Sequence, residues 1–95
     1  MAMRFEWDEA KNIASQAKHH LSFETACDAF DDPLQVSKPD HVVDGEQRWK
    51  TIGVIGDLAL VVVAHTYRDD GEDEVVRIIS ARRASRRERR EYESG

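Results

Sequence analysis

Apolar residues recur with helical spacing in the first third of the chain. One set follows Asp8 at intervals of i, i+3, i+4 and i+7, which predicts a capped helix that buries this face. The set consists of Ala10, Ile13, Ala14 and Ala17. The same pattern predicts that the interleaved residues face water, namely Lys11, Asn12, Ser15 and Lys18. The first helix should end at His19-His20.

A second short helix follows Ser22, which is a suitable N-cap. Its apolar positions have the same spacing and are Phe23, Ala26, Cys27 and Phe30. Pro33 ends it, because the residue before a proline disfavours the helical region. Phe5-Glu6-Trp7, upstream of both helices, is a candidate strand with its two aromatic rings on one face.

After Pro33 the hydrophobic period changes to two, which predicts strands. A short alternation at residues 34–37 leads into a predicted polar loop at 39–45, and a strand is predicted for 47–55. Gly56-Asp57 is a hairpin turn signal. The run 58–67 is apolar on both faces, as a central strand would be.

An acidic loop at 69–74 precedes another β-branched strand at 75–82. Ser85 and Glu88 match a capping box, which predicts a last helix over 86–93. The order of elements indicates one α+β domain over residues 1–95. Two N-terminal helices and a C-terminal helix would accompany a mostly antiparallel twisted sheet of about four strands. With the helices on one face, the opposite face would be free to bind.

Length and charge sharpen this picture. The chain has 95 residues and a net charge of −5, but the charge is uneven. Residues 1–76 carry 7 Lys/Arg against 16 Asp/Glu, a net of −9, whereas residues 77–95 carry 7 Arg against 3 Glu, a net of +4. An acidic body with an arginine-rich end points to an anionic ligand or an acidic protein partner.

Several classes are excluded or disfavoured by composition. The single cysteine, Cys27, excludes an internal disulfide. The longest apolar run is far shorter than the ~20 residues of a membrane span, so no membrane partner is expected. No secretory signal pattern opens the chain, and a cytoplasmic location is therefore expected. No metal or cofactor site is predicted, because the acidic loop lacks the ligand spacing of a calcium site.

The arginine series at the C-terminal end is the strongest chemical feature. Arginine binds phosphate in a planar, bidentate way and stays charged at any working pH. The candidates for RNA contact are Arg77, Arg83, Arg86, Arg87, Arg89 and Arg90, together with Arg82. The alternative is a solvated helix face whose glutamates pair with these arginines.

Strand parity suggests a site. Arg48 and Lys50 share one face of their strand, and Arg68 and Arg82 end the next two strands. Cations from three neighbouring strands would suit a metal-free ribonuclease, where fixed charges meet the charge developing on a phosphate. The alternative is that these side chains are merely exposed.

Histidines add further candidates. His65 interrupts an apolar strand and is either a general acid or base, or a core residue with one satisfied hydrogen bond. His41 lies in the predicted polar loop, where no role is expected for it. His19 and His20 suit the C-terminal end of a helix.

Several stretches together resemble the BrnT toxin family. They include residues 5–12, Lys18-His19, residues 22–26, residues 30–34, residues 45–48 and residues 61–66. The most specific block is the closing run at 77–92, which contains the sequence ISARRASRRERREY. One departure is His20, which occupies a position where the family commonly has a glycine. A left-handed residue there would cost roughly 1 kcal/mol.

The resemblance implies a RelE-like fold and a type II toxin that cleaves RNA without a metal and inhibits translation. It also implies a ribbon-helix-helix antitoxin, with operator DNA bound only through that antitoxin. In such toxins the ribose 2′-hydroxyl attacks the adjacent phosphate. The matching residue types here are Arg48, Lys50, Arg68, Arg82, Tyr92 and His65. The alternative function is a non-catalytic module that binds RNA or a transcription repressor.

Overall fold

The computed structural model describes residues 3–56 and 59–95. Five strands are β1 (Met3–Trp7), β2 (Val36–Val43), β3 (Glu46–Ile55), β4 (Ala59–Asp70) and β5 (Asp73–Arg83). Three helices are α1 (Glu9–His19), α2 (Phe23–Ala26) and α3 (Arg86–Ser94). A 3₁₀ helix (Cys27–Asp31) continues α2.

The strands form one mixed sheet in the order β1-β5-β4-β3-β2. β1 runs parallel to β5, and the other neighbours are antiparallel. The predicted α+β class with three helices and a mostly antiparallel sheet is confirmed. The sheet has five strands rather than about four.

β2 is longer than predicted, because it continues through most of the region 39–45 that was predicted as a polar loop. Asp44 and Gly45 both have positive φ, of 50° and 78°, and join β2 to β3 in a two-residue turn. Asp-Gly is a favoured sequence for such turns, since their twist matches that of the flanking strands. The acidic loop predicted at 69–74 is likewise shorter, because β4 and β5 continue up to the turn at Gly71-Glu72.

The predicted helix caps are all present. The side chains of Asp8, Ser22 and Ser85 accept hydrogen bonds from the backbone of α1, α2 and α3. His20 adopts the left-handed conformation with φ 55°, and its N–H donates to the carbonyl of Gln16. The C-terminal cap geometry is therefore kept although a histidine stands at this position.

The predicted buried face of α1 is wrong. Ile13 is 61% exposed, whereas Asn12 and Ser15 are buried. The Asn12 side chain accepts from the N–H of Phe23 at 2.8 Å and donates to Glu24 at 3.0 Å, so it ties α1 to α2. Tertiary hydrogen bonds, rather than apolar area, decide how α1 faces the sheet.

The sheet separates two apolar clusters. On one side α2, the 3₁₀ helix and α1 lie over a cluster that includes Phe23, Val63 and Ile78; we call this side the core face. On the other side, Tyr92 of α3 packs against a smaller cluster of Ile52, Leu60 and Val62. The expectation that the helices leave one face free is thus only partly met, because α3 covers part of the second face.

Two predicted features extend outside the described residues. Gly56 has φ 46° and begins the predicted hairpin turn, but Asp57 and the first residue of the predicted central strand, Leu58, are not described. Within residues 3–56 and 59–95, no helix is long and apolar enough to cross a membrane.

The role of Asn12 can be tested by comparing two substitutions on adjacent residues. Asn12→Ala should lower the free energy of unfolding by about 1–3 kcal/mol, since it leaves the buried N–H of Phe23 without its partner. Ile13→Ala, at an exposed position, should change it by less than about 0.5 kcal/mol. Urea unfolding of both variants checks this, and a larger loss for Ile13→Ala would contradict the observed orientation of α1.

Candidate functional site

Strand pairing collects five cationic side chains of the three central strands, β3, β4 and β5, on the face of the sheet opposite the core face. Antiparallel partners share a face, and side chains alternate along each strand. The pairs Ile52↔Val62 and Val62↔Arg82 therefore set the side of the residues around them, and the pair Thr66↔Arg77 sets the side of Arg77, because the β4–β5 pairing shifts by one residue at Ile79. The resulting surface, called the basic face below, comprises Arg48 and Lys50 from β3, Arg68 from β4, and Arg77 and Arg82 from β5.

Two glutamates of α3 already neutralise part of this face. Glu88 accepts two hydrogen bonds from Arg82, at 2.7 and 2.8 Å, in a bidentate pair. Hydrogen bonding by Arg82 lowers the pKa of Glu88 to about 2. Glu91 lies 2.6 Å from Lys38 and 3.5 Å from the ammonium of Lys50. Lys50 and Arg82 are therefore internally paired cations.

A third glutamate pairs with the cations nearest β1. Glu6 lies 3.2 Å from Arg68 and 3.7 Å from Arg77. Both arginine side chains are about half exposed, at 56% and 48%, so these contacts contribute little to stability. A phosphate would compete readily for either arginine.

Arg48 differs from the other members of the basic face. Among residues 3–56 and 59–95 it takes part in no ion pair, and its buried Nε has no hydrogen-bond partner. A buried donor without a partner is costly, so such a group favours an incoming acceptor. Arg48 is the strongest candidate on this face for binding an anion.

The β2–β3 pairing is irregular next to Arg48. Pro39 pairs with Trp49 and Val42 with Gln47, so Asp40 and His41 together lie opposite the single residue Arg48. A second irregularity, in the β4–β5 pairing, leaves Ile79 without a partner between Ile78 and Ser80. Such bulges are frequent beside active sites because they redirect side chains.

The two bulges meet at one cavity of about 290 Å³ on the basic face. It is lined by Asp40, His41, Val43, Arg48, Ala64, Ile79 and Ser80. Asp40 and His41 were missed by the sequence reasoning, which placed them in a polar loop. The Asp44-Gly45 turn signal would have extended β2 and so brought these two residues beside Arg48.

His65 lies on the core face, away from the basic face. It is fully buried, its Nε2 is 2.7 Å from the hydroxyl of Thr51, and its ring packs edge-on against Phe30 and Tyr67. Burial lowers the pKa of His65 to about 4. Of the two interpretations from sequence, this environment matches the core histidine with one hydrogen bond.

Tyr92 is occupied by another contact. Its hydroxyl donates to Asp32 at 2.6 Å, and this hydrogen bond raises the pKa of Tyr92. Asp32 also accepts from the N–H of Val54, so the contact fastens α3 to β3. The structure thus gives Tyr92 an anchoring position and does not bring it to the cavity beside Arg48.

The remaining predicted RNA contacts are dispersed. Arg83 lies on the side of the core face, beside a cavity that it shares with His19 and His20. The exposed arginines of α3 are Arg86, Arg87, Arg89 and Arg90. Arg87 and Arg90 line a groove with Lys38 at the edge of the sheet.

Comparisons with known proteins agree on one family. The family model described as "Ribonuclease toxin, BrnT, of type II toxin-antitoxin system" matches residues 7–88. Among solved structures, the chain is similar to the Brucella abortus ribonuclease toxin BrnT, with 26% identity and a TM-score of 0.59. That alignment covers 90% of this chain and 99% of the Brucella chain. A search of curated proteins gave no match.

The environment of His65 predicts a defined pH dependence of stability. The pKa of His65 is about 4 in the folded protein, whereas its ordinary value, expected in the unfolded chain, is 6.5. Between pH 4 and pH 6.5, therefore, only the unfolded chain binds the proton. The contribution of the neutral His65 to the free energy of unfolding is therefore complete above pH 6.5. As the pH falls to about 4, the free energy of unfolding decreases by up to about 3 kcal/mol. Urea unfolding of wild type and His65→Gln at several pH values should show a weaker slope for the variant in this window. Parallel slopes would contradict a buried, neutral His65.

Proposed function

Because this chain belongs to the BrnT family of ribonuclease toxins of type II toxin–antitoxin systems, we propose that it is an endoribonuclease that uses the basic face. The observation that carries the proposal is Arg48, which lines a cavity on that face and whose buried Nε has no hydrogen-bond partner. The phosphodiester of the RNA would lie in this cavity. The cleavage of RNA in turn would inhibit translation.

The proposed reaction needs no metal, because side-chain cations supply the charge that the transition state requires. The ribose O2′ attacks the adjacent phosphorus, the P–O5′ bond breaks, and a 2′,3′-cyclic phosphate and a 5′-hydroxyl end form. Arg48 would stabilise the charge that develops on the non-bridging oxygens. Arg68 and Arg77, which are half exposed, would bind the neighbouring phosphates.

Lys50 and Arg82 have a different position in this proposal. Their pairing with Glu88 and Glu91 means that a phosphate must displace a carboxylate before either cation reaches it. We assign them to substrate binding with rearrangement of α3. The exposed arginines of α3 would extend the contact along the RNA backbone, where phosphate contacts provide affinity but little sequence preference. Tyr92 and His65 are not given a part in the chemistry.

The family also implies an inhibitory partner, which we propose is a ribbon-helix-helix antitoxin. The complex would repress its own operon, with operator DNA contacted through the antitoxin, and the toxin would act in the cytoplasm. Arginines that bind phosphate also bind carboxylates. Glu6 and Glu88 already bind arginines of the basic face within this chain, and an acidic segment of the antitoxin would mask the same face in a similar way.

The catalytic proposal predicts that the purified protein cleaves RNA in the presence of EDTA. Arg48→Ala should lower the cleavage rate by about 100-fold or more, the usual loss when a group that stabilises the transition-state charge is removed. Lys18→Ala is the matched control, because Lys18 is an exposed cation of α1, on the side of the core face. Products should carry 2′,3′-cyclic phosphate ends.

The other outcomes are equally informative. Full activity of Arg48→Ala, or a strict need for added metal, would overturn the mechanism. RNA binding without cleavage by the wild type would favour the alternative function, a non-catalytic module that binds RNA or a transcription repressor.

Expression of the chain in bacteria provides a test of the toxin–antitoxin proposal. Induction should arrest growth, and co-expression of a neighbouring ribbon-helix-helix reading frame should restore it. The Arg48→Ala variant should not arrest growth but should still bind the antitoxin in a pull-down. Normal growth on induction of the wild type, at verified protein levels, would contradict a toxic activity.

A further inference from the structure

We propose that His41 is the general base of the cleavage reaction and that Asp40 positions its ring. This inference rests on the proposed ribonuclease function and deepens it, because it assigns the proton transfer to named residues. Neither residue was a candidate from the sequence. The evidence is the bulge in β2, the contact between the two side chains and the cavity that they share with Arg48.

The bulge brings the pair to the correct surface. Asp40 and His41 occupy the space opposite Arg48, where a regular strand would place a single residue. A histidine, an aspartate and an arginine therefore line one cavity on the basic face. Its other lining residues, Val43, Ala64, Ile79 and Ser80, are uncharged.

The contact between the two side chains determines which nitrogen of the neutral His41 ring carries the proton. Nδ1 of His41 lies 3.1 Å from a carboxylate oxygen of Asp40. An ionised carboxylate only accepts hydrogen bonds, so the shared proton must come from Nδ1. The neutral ring then has its lone pair on Nε2, which is the form that can accept a proton from a substrate.

Exposure of the pair argues for a chemical rather than a structural role. The His41 side chain is 69% exposed and that of Asp40 is 48% exposed. Ion pairs of this kind contribute little to stability. An imidazole in this position is accessible to RNA, whereas the ring of His65 is fully buried on the opposite face.

The proton balance of the step is as follows. Nε2 of His41 takes the proton from the 2′-hydroxyl while O2′ bonds to phosphorus, and the ring becomes an imidazolium that Asp40 stabilises. The P–O5′ bond breaks, and O5′ takes a proton from solvent. The imidazolium then releases its proton to solvent, so the enzyme returns to its starting state. Arg48 faces the phosphate throughout.

The test compares His41→Ala with a matched control, His19→Ala, whose side chain lies by the cavity of Arg83 on the other side of the sheet. His41→Ala should lower the cleavage rate by about 100-fold to 10,000-fold while RNA binding and thermal unfolding stay close to wild type. Free imidazole in solution should partly restore the rate of His41→Ala. His19→Ala should cleave at the wild-type rate.

Asp40→Asn tests positioning. It should lower kcat with little change in KM, because the ring loses the carboxylate that accepts from its Nδ1–H. The charged groups that line the cavity with the ring are Asp40 of β2 and Arg48 of β3, and Arg48 is unchanged in this variant. A merely structural role would alter KM or the unfolding temperature and leave kcat at the wild-type value.

The outcomes separate this inference from the proposed function. If the wild type does not cleave RNA, the proposed function fails and the inference fails with it. If the wild type cleaves and His41→Ala cleaves at the same rate, the inference is wrong while the ribonuclease function stands. A loss in His41→Ala that accompanies unfolding is resolved by His41→Gln, which must fold and remain slow for the inference to hold.

Discussion

The regular ladder between β3 and β4 is the constraint on which the site depends. Its pairing is uninterrupted from Trp49↔His65 to Ile55↔Ala59. Alternation along paired strands then leaves no freedom: His65 must face the core, and Arg48 and Lys50 must face the other side. A slip of β3 by one residue would turn both of its cations towards the core. The hydrophobic core on one face therefore also fixes the chemistry of the opposite face.

Charge balance explains why so basic a surface is compatible with folding. Like charges on neighbouring strands repel each other. Glu88 and Glu91 on α3 and Glu6 on β1 relieve this repulsion without leaving the chain. Because α3 carries these counter-ions over the sheet, it also covers part of the basic face. Residues of the acidic body and of the arginine-rich C-terminal end thus form one surface. In the proposed function, substrate and antitoxin would both compete with these glutamates.

Two irregularities in the strand pairing lie beside the candidate site. The bulges in β2 and β5 adjoin a cavity that Asp40, His41 and Arg48 line. Local sequence contains only part of this information. The Asp44-Gly45 turn predicts a hairpin, but the register that makes two residues oppose one depends on the whole β3 partner. A site formed in this way is visible only once the strands are paired.

The sequence by itself determined the order of elements, the caps at Asp8, Ser22 and Ser85, and the family, since these depend on local patterns and motifs. It also predicted that Arg48 and Lys50 share a face. Only the tertiary structure decided that α1 buries Asn12 instead of Ile13, that α3 covers part of the basic face, and that His65 is buried while His41 is exposed. Hydrogen bonds and ion pairs between residues distant in the chain settle these points, and the periodicity of one segment contains no information about its partners.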